Sequence, residues 1–524
     1  MFKFFRRKKD LSAEDAVCKA FCRTLDVDSI DPHANFFELG GDSMMATVVT
    51  ALLEDFGHSV PSTAVFDHPT MADLTAFITG GGSVLARAGV PLVEVHARNA
   101  SGPTRLPASV LQQRLWPFER NPDPERFQLR GEGAVLLHGP FDVDLLQRSL
   151  TQLSARQEAL RSAFAEYADG NLSAMVYADC TIDVERHTAA SHEEAAALVA
   201  RVTAQVFDLS QPPPIRCAVI TLSDAEHVLA VSMHHIVSDG WSMGVFVSEL
   251  AEIYSALRTK RTPELPTLPF QFADYAGAHR TWLASDGGTA SIAFWRDYLA
   301  GAPSALDVTL PADKPRGSEF NFPVRRTFLL LSDTTQHNLR AMARSTQSSV
   351  PTVFLAAFLT VYKALTGISD FPVGIMHANR NLPGTQNLIG FFATLVLLRL
   401  KMPGGGISFS EALDVARSET RRIDPHAAVP IGTLIDAGVV DTLPRVFVDS
   451  VPRPGLPQID GVAVEDFPFE HPPLFAAADI ALFLFDNGHE LSCMLGTNTE
   501  MFSDSAAAAL ADALGSALAE VRPT

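Results

Sequence analysis

The sequence has five cysteines, an odd number, and no CxxC pair among them. That argues against a disulfide framework and for reduced thiols in a cytoplasmic protein. It has no excess of positive charge. Against 41 Lys and Arg stand 60 Asp and Glu, a net −19, so the basic face of a nucleic-acid binder is missing. It has no apolar run of the roughly eighteen residues that a membrane span needs. IGFFATLVLLRL comes nearest and is broken by Arg399. The basic opening MFKFFRRKKD is followed by no apolar segment, so residues 1–10 read as a solvated tail and not as a secretory signal. There is no internal repeat, no Walker-type phosphate loop and no GxSxG elbow.

What is present suffices for several cores. Of 524 residues, 47% are hydrophobic and 19% charged, a globular balance that predicts a multidomain chain. The stretch 79–105, TGGGSVLARAGVPLVEVHARNASGPTR, is rich in Gly, Ala, Ser and Pro without a sustained period and is predicted to be a linker. Ahead of it, residues 11–78 predict a small all-α, four-helix bundle. LSAEDAVCKAFCRTL opens with Ser12 and an acidic pair, then spaces Val17, Phe21 and Leu25 four apart. A second helix is predicted from Ser43, with Met44, Val48 and Leu52 on its apolar face, and HPTMADLTAFI gives a short last one. Residues 11–80 hold eleven acidic and two basic side chains, a net −9.

Residues 106–524 mix strands and helices in the amount of two α/β lobes, about 106–270 and 271–524. GAVLLHG, EHVLAVSMHH, RRTFLLLS, ATLVLLRL and ALFLFD read as strands. DLLQRSLTQLSARQEALRSAF, WSMGVFVSELAEIYSAL and VPTVFLAAFLTVYKALTG read as amphipathic helices.

Two stretches carry chemistry. In NFFELGGDSMMA (Asn35 to Ala46) the glycines keep the approach to Ser43 open, and Asp42 and Ser43 suit a helix start, where they satisfy unpaired N–H groups. Taken alone, this is a loop and a cap. VSMHHIVSDGWSM (Val231 to Met243) sets His234 and His235 just ahead of Asp239 at the end of an apolar strand. A satisfied histidine pair in a core is the plain reading of such a stretch. Zinc is disfavoured, because adjacent rings do not readily converge on one ion and no further Cys/His cluster lies near.

Together the two stretches resemble a known arrangement. Residues 11–78, with FFELGGDS followed by VFDHPT (Val65 to Thr70), are similar to the carrier domains of nonribosomal peptide synthetases. MHHIVSDGWS resembles the HHxxxDG motif of condensation domains, which have a two-lobed chloramphenicol acetyltransferase-like fold. SVLQQRLW and RQEALRSAF before it, then FADYA, IGFFATLVLLR, HAAVPIGTLI and TNTEMF after it, follow in that family's order over most of residues 106–505.

The resemblance implies 4′-phosphopantetheine on Ser43, installed by a phosphopantetheinyl transferase and charged in trans by an adenylation or other loading enzyme. It implies acyl transfer to an amine that arrives on a downstream carrier or free, in a tunnel between the lobes. Holding the partners together supplies most of the acceleration. His235 is implied as the group that takes or directs the amine's proton, an effect of about 10²–10⁴-fold. His234 would be its packing and hydrogen-bonding neighbour. Asp239 is implied to pair with an arginine, Arg380 or Arg161, rather than to orient the imidazole. The Gly240 N–H is a candidate for the developing oxyanion.

The chain departs from the family pattern at Gln157, where histidine is usual, at Thr394, where asparagine lines the expected tunnel, and at Ala428, where aspartate is usual. None touches HHxxxDG. With no room for an adenylation domain and few residues after the last motif, release onto a free small molecule is an expected option, as is ester formation with an alcohol. Epimerisation shares HHxxxDG, but DGWSM follows the condensation pattern. A silent platform that recruits a partner enzyme remains, although such platforms usually have a degraded motif.

Overall fold

The computed structural model describes residues 11–523 except 26, 28, 38, 40–42, 59, 61–63, 81–92, 120–128, 168–169, 305–309, 316–321, 381, 383, 453–455, 458, 460, 471–474, 477 and 487–489. The N-terminal tail, Gly40 to Asp42 of the serine loop and the middle of the predicted linker therefore lie outside the described residues.

The first unit is the expected helical bundle: Ala13–Leu25, Ser43–Asp55, Ala64–Asp67 and Met71–Thr79. Its helix starts are capped as the sequence indicates. Ser12 Oγ accepts from the Asp15 N–H at 3.1 Å, and Thr70 Oγ1 from the Asp73 N–H at 3.0 Å. Val17, Phe21, Phe36, Leu53 and Leu74 close the core. The second helix differs from expectation in its face. Ala46, Val49 and Leu53 are buried, whereas Val48 and Leu52 are half-buried. SMMATVVTALL is apolar nearly all round, so its period does not single out one stripe.

The rest is built on three sheets. The five-stranded sheet runs Ala463–Asp466, Arg130–His138, Glu226–His234, Ile215–Ser223, Val184–Thr188. Helices Val143–Arg156 and Gly240–Thr259 pack on one face around Leu150, Val231, Met233 and Phe246. Helix His192–Thr203 covers the other around Val199, Ala218 and Val228. The seven-stranded sheet runs Thr394–Lys401, Asp370–His377, Val446–Pro452, Ile480–Asp486, Leu491–Asn498, Phe322–Leu329, Phe475–Ala476. Its core side is covered by Asp333–Ser345, Val350–Thr366, Phe409–Ile423 and Asp504–Glu520, with Leu339, Phe354, Leu482 and Leu514 between. A small third sheet joins Thr104–Pro107, Leu172–Val176 and Ser162–Glu166.

Three features differ from the sequence reading. The helix predicted over 144–164 stops at Arg156. Gln157 turns to an extended backbone (φ −106°, ψ 103°), one 3₁₀ turn follows, and Ser162–Glu166 pairs as a strand with Leu172–Val176. Ladder pairing outweighs the helical period there. The predicted linker is docked in its last part. The His96 N–H donates to Asp274 at 3.0 Å, Arg98 bridges Glu158 and Asp274 at 2.9 and 3.0 Å, and a strand already begins at Thr104. Finally, Ala463–Asp466, from the second half of the chain, pairs antiparallel with Arg130–His138 in the first-lobe sheet.

All five cysteines are free thiols. Among the described residues no single helix is long and apolar enough to cross a membrane, and no His/Cys/Asp/Glu cluster has the makings of a metal site.

Candidate active site

The strand Glu226–His234 ends at the histidines because its ladder ends. His234 is the last residue paired, opposite Arg130, and His235–Val237 forms a 3₁₀ turn. Alternation along a strand sends successive side chains to opposite faces, so the two rings part company.

His234 points into the protein and is fully buried. Its Nδ1 accepts from the Ile236 N–H at 3.0 Å, so Nε2 carries the hydrogen and donates to the Glu119 carboxylate at 3.0 Å. Both nitrogens are committed. His234, grouped with His235 among the site residues, is thereby held as a packing and hydrogen-bonding neighbour. Glu119, at the end of helix Val110–Glu119, was not singled out from the sequence; over a hundred residues from the histidine, it gives no local signal.

His235 is half-buried, with Phe391 at 6.5 Å between ring centroids. Its Nδ1–H donates to the Ser238 carbonyl at 3.1 Å, which leaves the Nε2 lone pair unclaimed by this contact. Burial holds its pKa below the ordinary imidazole value, while the Ser238 carbonyl opposes that shift. That shift favours the neutral ring, the form in which an imidazole accepts a proton. Gln112, in the SVLQQRLW stretch, steadies the turn by donating to the Ile236 carbonyl at 2.7 Å.

Asp239 does something else. It caps helix Gly240–Thr259, its Oδ1 accepting from the Ser242 N–H at 2.8 Å and the Ser242 hydroxyl at 2.7 Å. The same oxygen meets Arg380 Nη2 at 2.9 Å, and Oδ2 accepts from the Phe392 and Ala393 N–H groups at 3.0 and 3.1 Å. Arg380 is completely buried. It donates to the carbonyls of Thr385 and Leu388 at 2.6 and 2.8 Å and lies 4.1 Å above the Phe392 ring. Burial lowers its pKa, opposed by Asp239. Its neighbour Asn379 takes a left-handed backbone (φ 52°), which asparagine tolerates better than most residues.

So Arg380, not Arg161, is the partner of Asp239. Arg161 instead donates to the Ser154 and Tyr177 carbonyls at 3.1 and 3.0 Å. Gly240 is the first residue of the motif helix and half-buried. Thr394 is buried beside this knot, its hydroxyl donating to the Phe392 carbonyl and accepting from Asn379. Gly390 shows why the loop must be bare there: a Cβ would fall 2.1 Å from the Phe272 ring.

Gln157 belongs to the same construction. Its amide donates to Glu249 of the motif helix and to the Asn387 carbonyl, both at 2.9 Å, and accepts from the Ile389 N–H at 3.1 Å. It ties the first lobe to the 385–393 loop of the second.

In the carrier bundle, Ser43 is the first residue of helix Ser43–Asp55. Phe36 and Phe37 are buried in the core of the bundle, and the serine stands at the helix start. That placement fits a serine presented for attachment of a phosphopantetheine arm.

Both parts of the chain are similar to known families. Residues 103–442 match the family described as Condensation domain, and residues 15–78 the family described as Phosphopantetheine attachment site. One chain of the linear gramicidin synthase of Brevibacillus parabrevis is 33% identical over 432 residues, covering 81% of this chain and 5% of that protein. Another chain of the same synthase is 30% identical over 506 residues, 94% of this chain and 10% of its own length. The chain thus spans a tenth or less of the length of these relatives. Among solved structures, the complex of the X-domain and OxyB from teicoplanin biosynthesis contains a chain that overlays with a TM-score of 0.68 at 26% identity, covering 83% of this chain and 96% of that one. The condensation domain of the Monacolin K polyketide synthase MokA gives 0.69 at 21% identity, over 80% and 97%, a likeness of fold.

Proposed function

The chain belongs to the condensation-domain family, with a phosphopantetheine attachment domain ahead of it, and from that premise we propose that it joins a carrier-bound acyl group to an amine. The observation that carries this reading is His235, whose Nδ1–H is spent on the Ser238 carbonyl while its Nε2 is left to work.

A 4′-phosphopantetheine arm on Ser43 would supply the thiol that carries the acyl group as a thioester. His235 Nε2 takes the proton that the amine sheds as the C–N bond forms and the C–S bond breaks. Asp239 and Arg380 hold the loop that carries His235 against the second lobe and do not touch the imidazole through any described hydrogen bond. The Gly240 N–H, at the start of the motif helix, is the group offered to the developing oxyanion. Holding donor and amine in one crevice supplies the larger part of the rate, by making the encounter intramolecular. Adenylation and other synthetase domains and a phosphopantetheinyl transferase are the partners that a carrier–condensation unit implies. A free amine and a carrier-borne amine are both compatible acceptors, and an alcohol would give an ester by the same proton transfer.

The test is intact-protein mass spectrometry after incubation with coenzyme A and a phosphopantetheinyl transferase. One arm is expected on the wild type and none on Ser43→Ala. An arm on the variant would remove the carrier assignment. A second reading, a platform that recruits another enzyme, is favoured by the likeness to the X-domain complex. It is opposed by the complete HHxxxDG motif, and transfer from a loaded carrier to any amine would exclude it as the whole function.

A further inference from the structure

Strand Val446–Pro452 lies inside the seven-stranded sheet, between Asp370–His377 and Ile480–Asp486. Val446 and Val448 point into the second-lobe core. By the two-residue alternation of a strand, Phe447, Asp449 and Val451 point the other way. Ile480–Asp486 alternates likewise. Ile480, Leu482 and Leu484 are in the core, and Phe483 and Phe485 face out with Asp449, Phe483 being its register partner. Phe447 and Phe483 meet edge-on at 5.7 Å, and Phe483 stacks toward Phe485 at 6.2 Å. All four side chains are half-buried. The same strand packs against helix Gly240–Thr259, whose own buried residues belong to the first-lobe core and not to the second. This face is therefore turned away from the second-lobe core and toward the first lobe, on the side of the helix that follows His235.

A half-buried carboxylate on one sheet face with three aromatic rings is unusual at a boundary between lobes. Nothing in the loop chemistry of His235, Asp239 and Arg380 uses it. Its surroundings push the Asp449 carboxyl up to about 7, with burial as the main cause and the Ser450 N–H opposing it. Among the described residues no basic side chain enters that balance. An acid so placed costs stability unless something positive reaches it. The combination of an acidic oxygen with ring faces is the chemistry that receives an ammonium ion, through a charge-assisted hydrogen bond and through the negative faces of the rings.

We infer that Asp449, with Phe447, Phe483 and Phe485, holds a protonated amine of the substrate, distinct from the nitrogen that is acylated. The inference rests on the amide-forming reading above and narrows it to substrates with a second, cationic nitrogen. That nitrogen sits on the acceptor, as in a diamine, or on the tethered acyl group, as in a basic aminoacyl residue. The chemistry of the pocket is the same for both.

The experiment compares the wild type with Asp449→Asn, which keeps the shape and removes the charge, using matched substrate pairs. For the acceptor the pair is 1,4-diaminobutane and butylamine; for the donor it is Nα-acetyllysyl and Nα-acetylnorleucyl groups loaded on the carrier, which differ only in the side-chain ammonium. The variant is expected to raise KM for the cationic member of one pair by roughly 10–100-fold, the worth of a hydrogen bond to a charged group, and to leave the neutral member unchanged. The affected pair says which substrate carries the amine. Equal changes for cationic and neutral members, or none in either pair, overturn the inference. Calorimetric titration of both proteins with 1,4-diaminobutane and with a lysyl-pantetheine amide does not depend on turnover. If no amide forms with any pair, the functional reading fails, and these titrations still decide the pocket. Binding weakened by the same factor in Asp449→Asn supports it, and binding that is equal or absent overturns it.

Discussion

Two residues of the MHHIVSDGW segment, His235 and Asp239, four positions apart, are held in opposite ways. The His235 side chain has one hydrogen bond among the described residues, through Nδ1, and its ring is half-buried. Asp239 has five donors on its two oxygens and sits buried against a completely buried arginine. The first arrangement leaves an atom free to exchange protons, at little cost in order. The second spends every lone pair on joining the motif helix to the loop of the other lobe. One motif thus contains a reactive end and a fastening end, and the triad-like look of His and Asp in sequence does not survive in space.

The comparison can be broken most directly at His235. His235→Ala is expected to lower amide formation from a loaded carrier by about 10²–10⁴-fold, with an unchanged melting temperature. The wild-type pH–rate profile should keep its activity to below the ordinary imidazole value near 6.5, because the folded ring is harder to protonate. Full activity in His235→Ala would end the division of roles. At the other end, Asp239→Ala should destabilise the protein by about 3–5 kcal/mol, since it strands the buried Arg380. Denaturant melts are the measure, and a loss confined to activity would contradict the fastening role. Gln157→Ala removes three hydrogen bonds, two of them between the lobes, and should cost about 1–3 kcal/mol, with a smaller effect on turnover than His235→Ala.

The smallest effect concerns pH. The folded pKa of Asp449, about 7, lies above its ordinary value of 3.8. The stability linked to this group is present at low pH and lost as pH rises through 7. Asp449→Asn should therefore melt a few degrees above the wild type at pH 8, and the gap should narrow as pH falls toward 4. A constant gap across that range would show that the carboxyl is ordinary.

Much of this was legible from the chain, for reasons that are local. Strands such as EHVLAVSMHH and ALFLFD are long apolar runs, and the order of the motifs carried the fold. The unread parts are those where distant residues decide. The helix before Gln157 stops where a strand pairing with Leu172–Val176 takes over. Glu119 reaches His234, and Arg380 was chosen over Arg161, through contacts with no signature in spacing. Asp449 is one acid in RVFVDSVP, and only its neighbours across the sheet make it unusual.

The strand that the second half of the chain lends to the first-lobe sheet has a consequence for synthesis. Arg130–His138 is the edge of that sheet until Ala463–Asp466 covers part of it. About 325 residues separate the two, so at roughly 5–20 residues per second the ribosome leaves that edge uncovered for roughly 15–65 s. During this interval a nascent first lobe presents unpaired N–H and C=O groups that can recruit another chain. Yield in the cell should then depend on how fast the second half is made, and slow translation between residues 140 and 460 should favour aggregates even though the finished protein is unaltered.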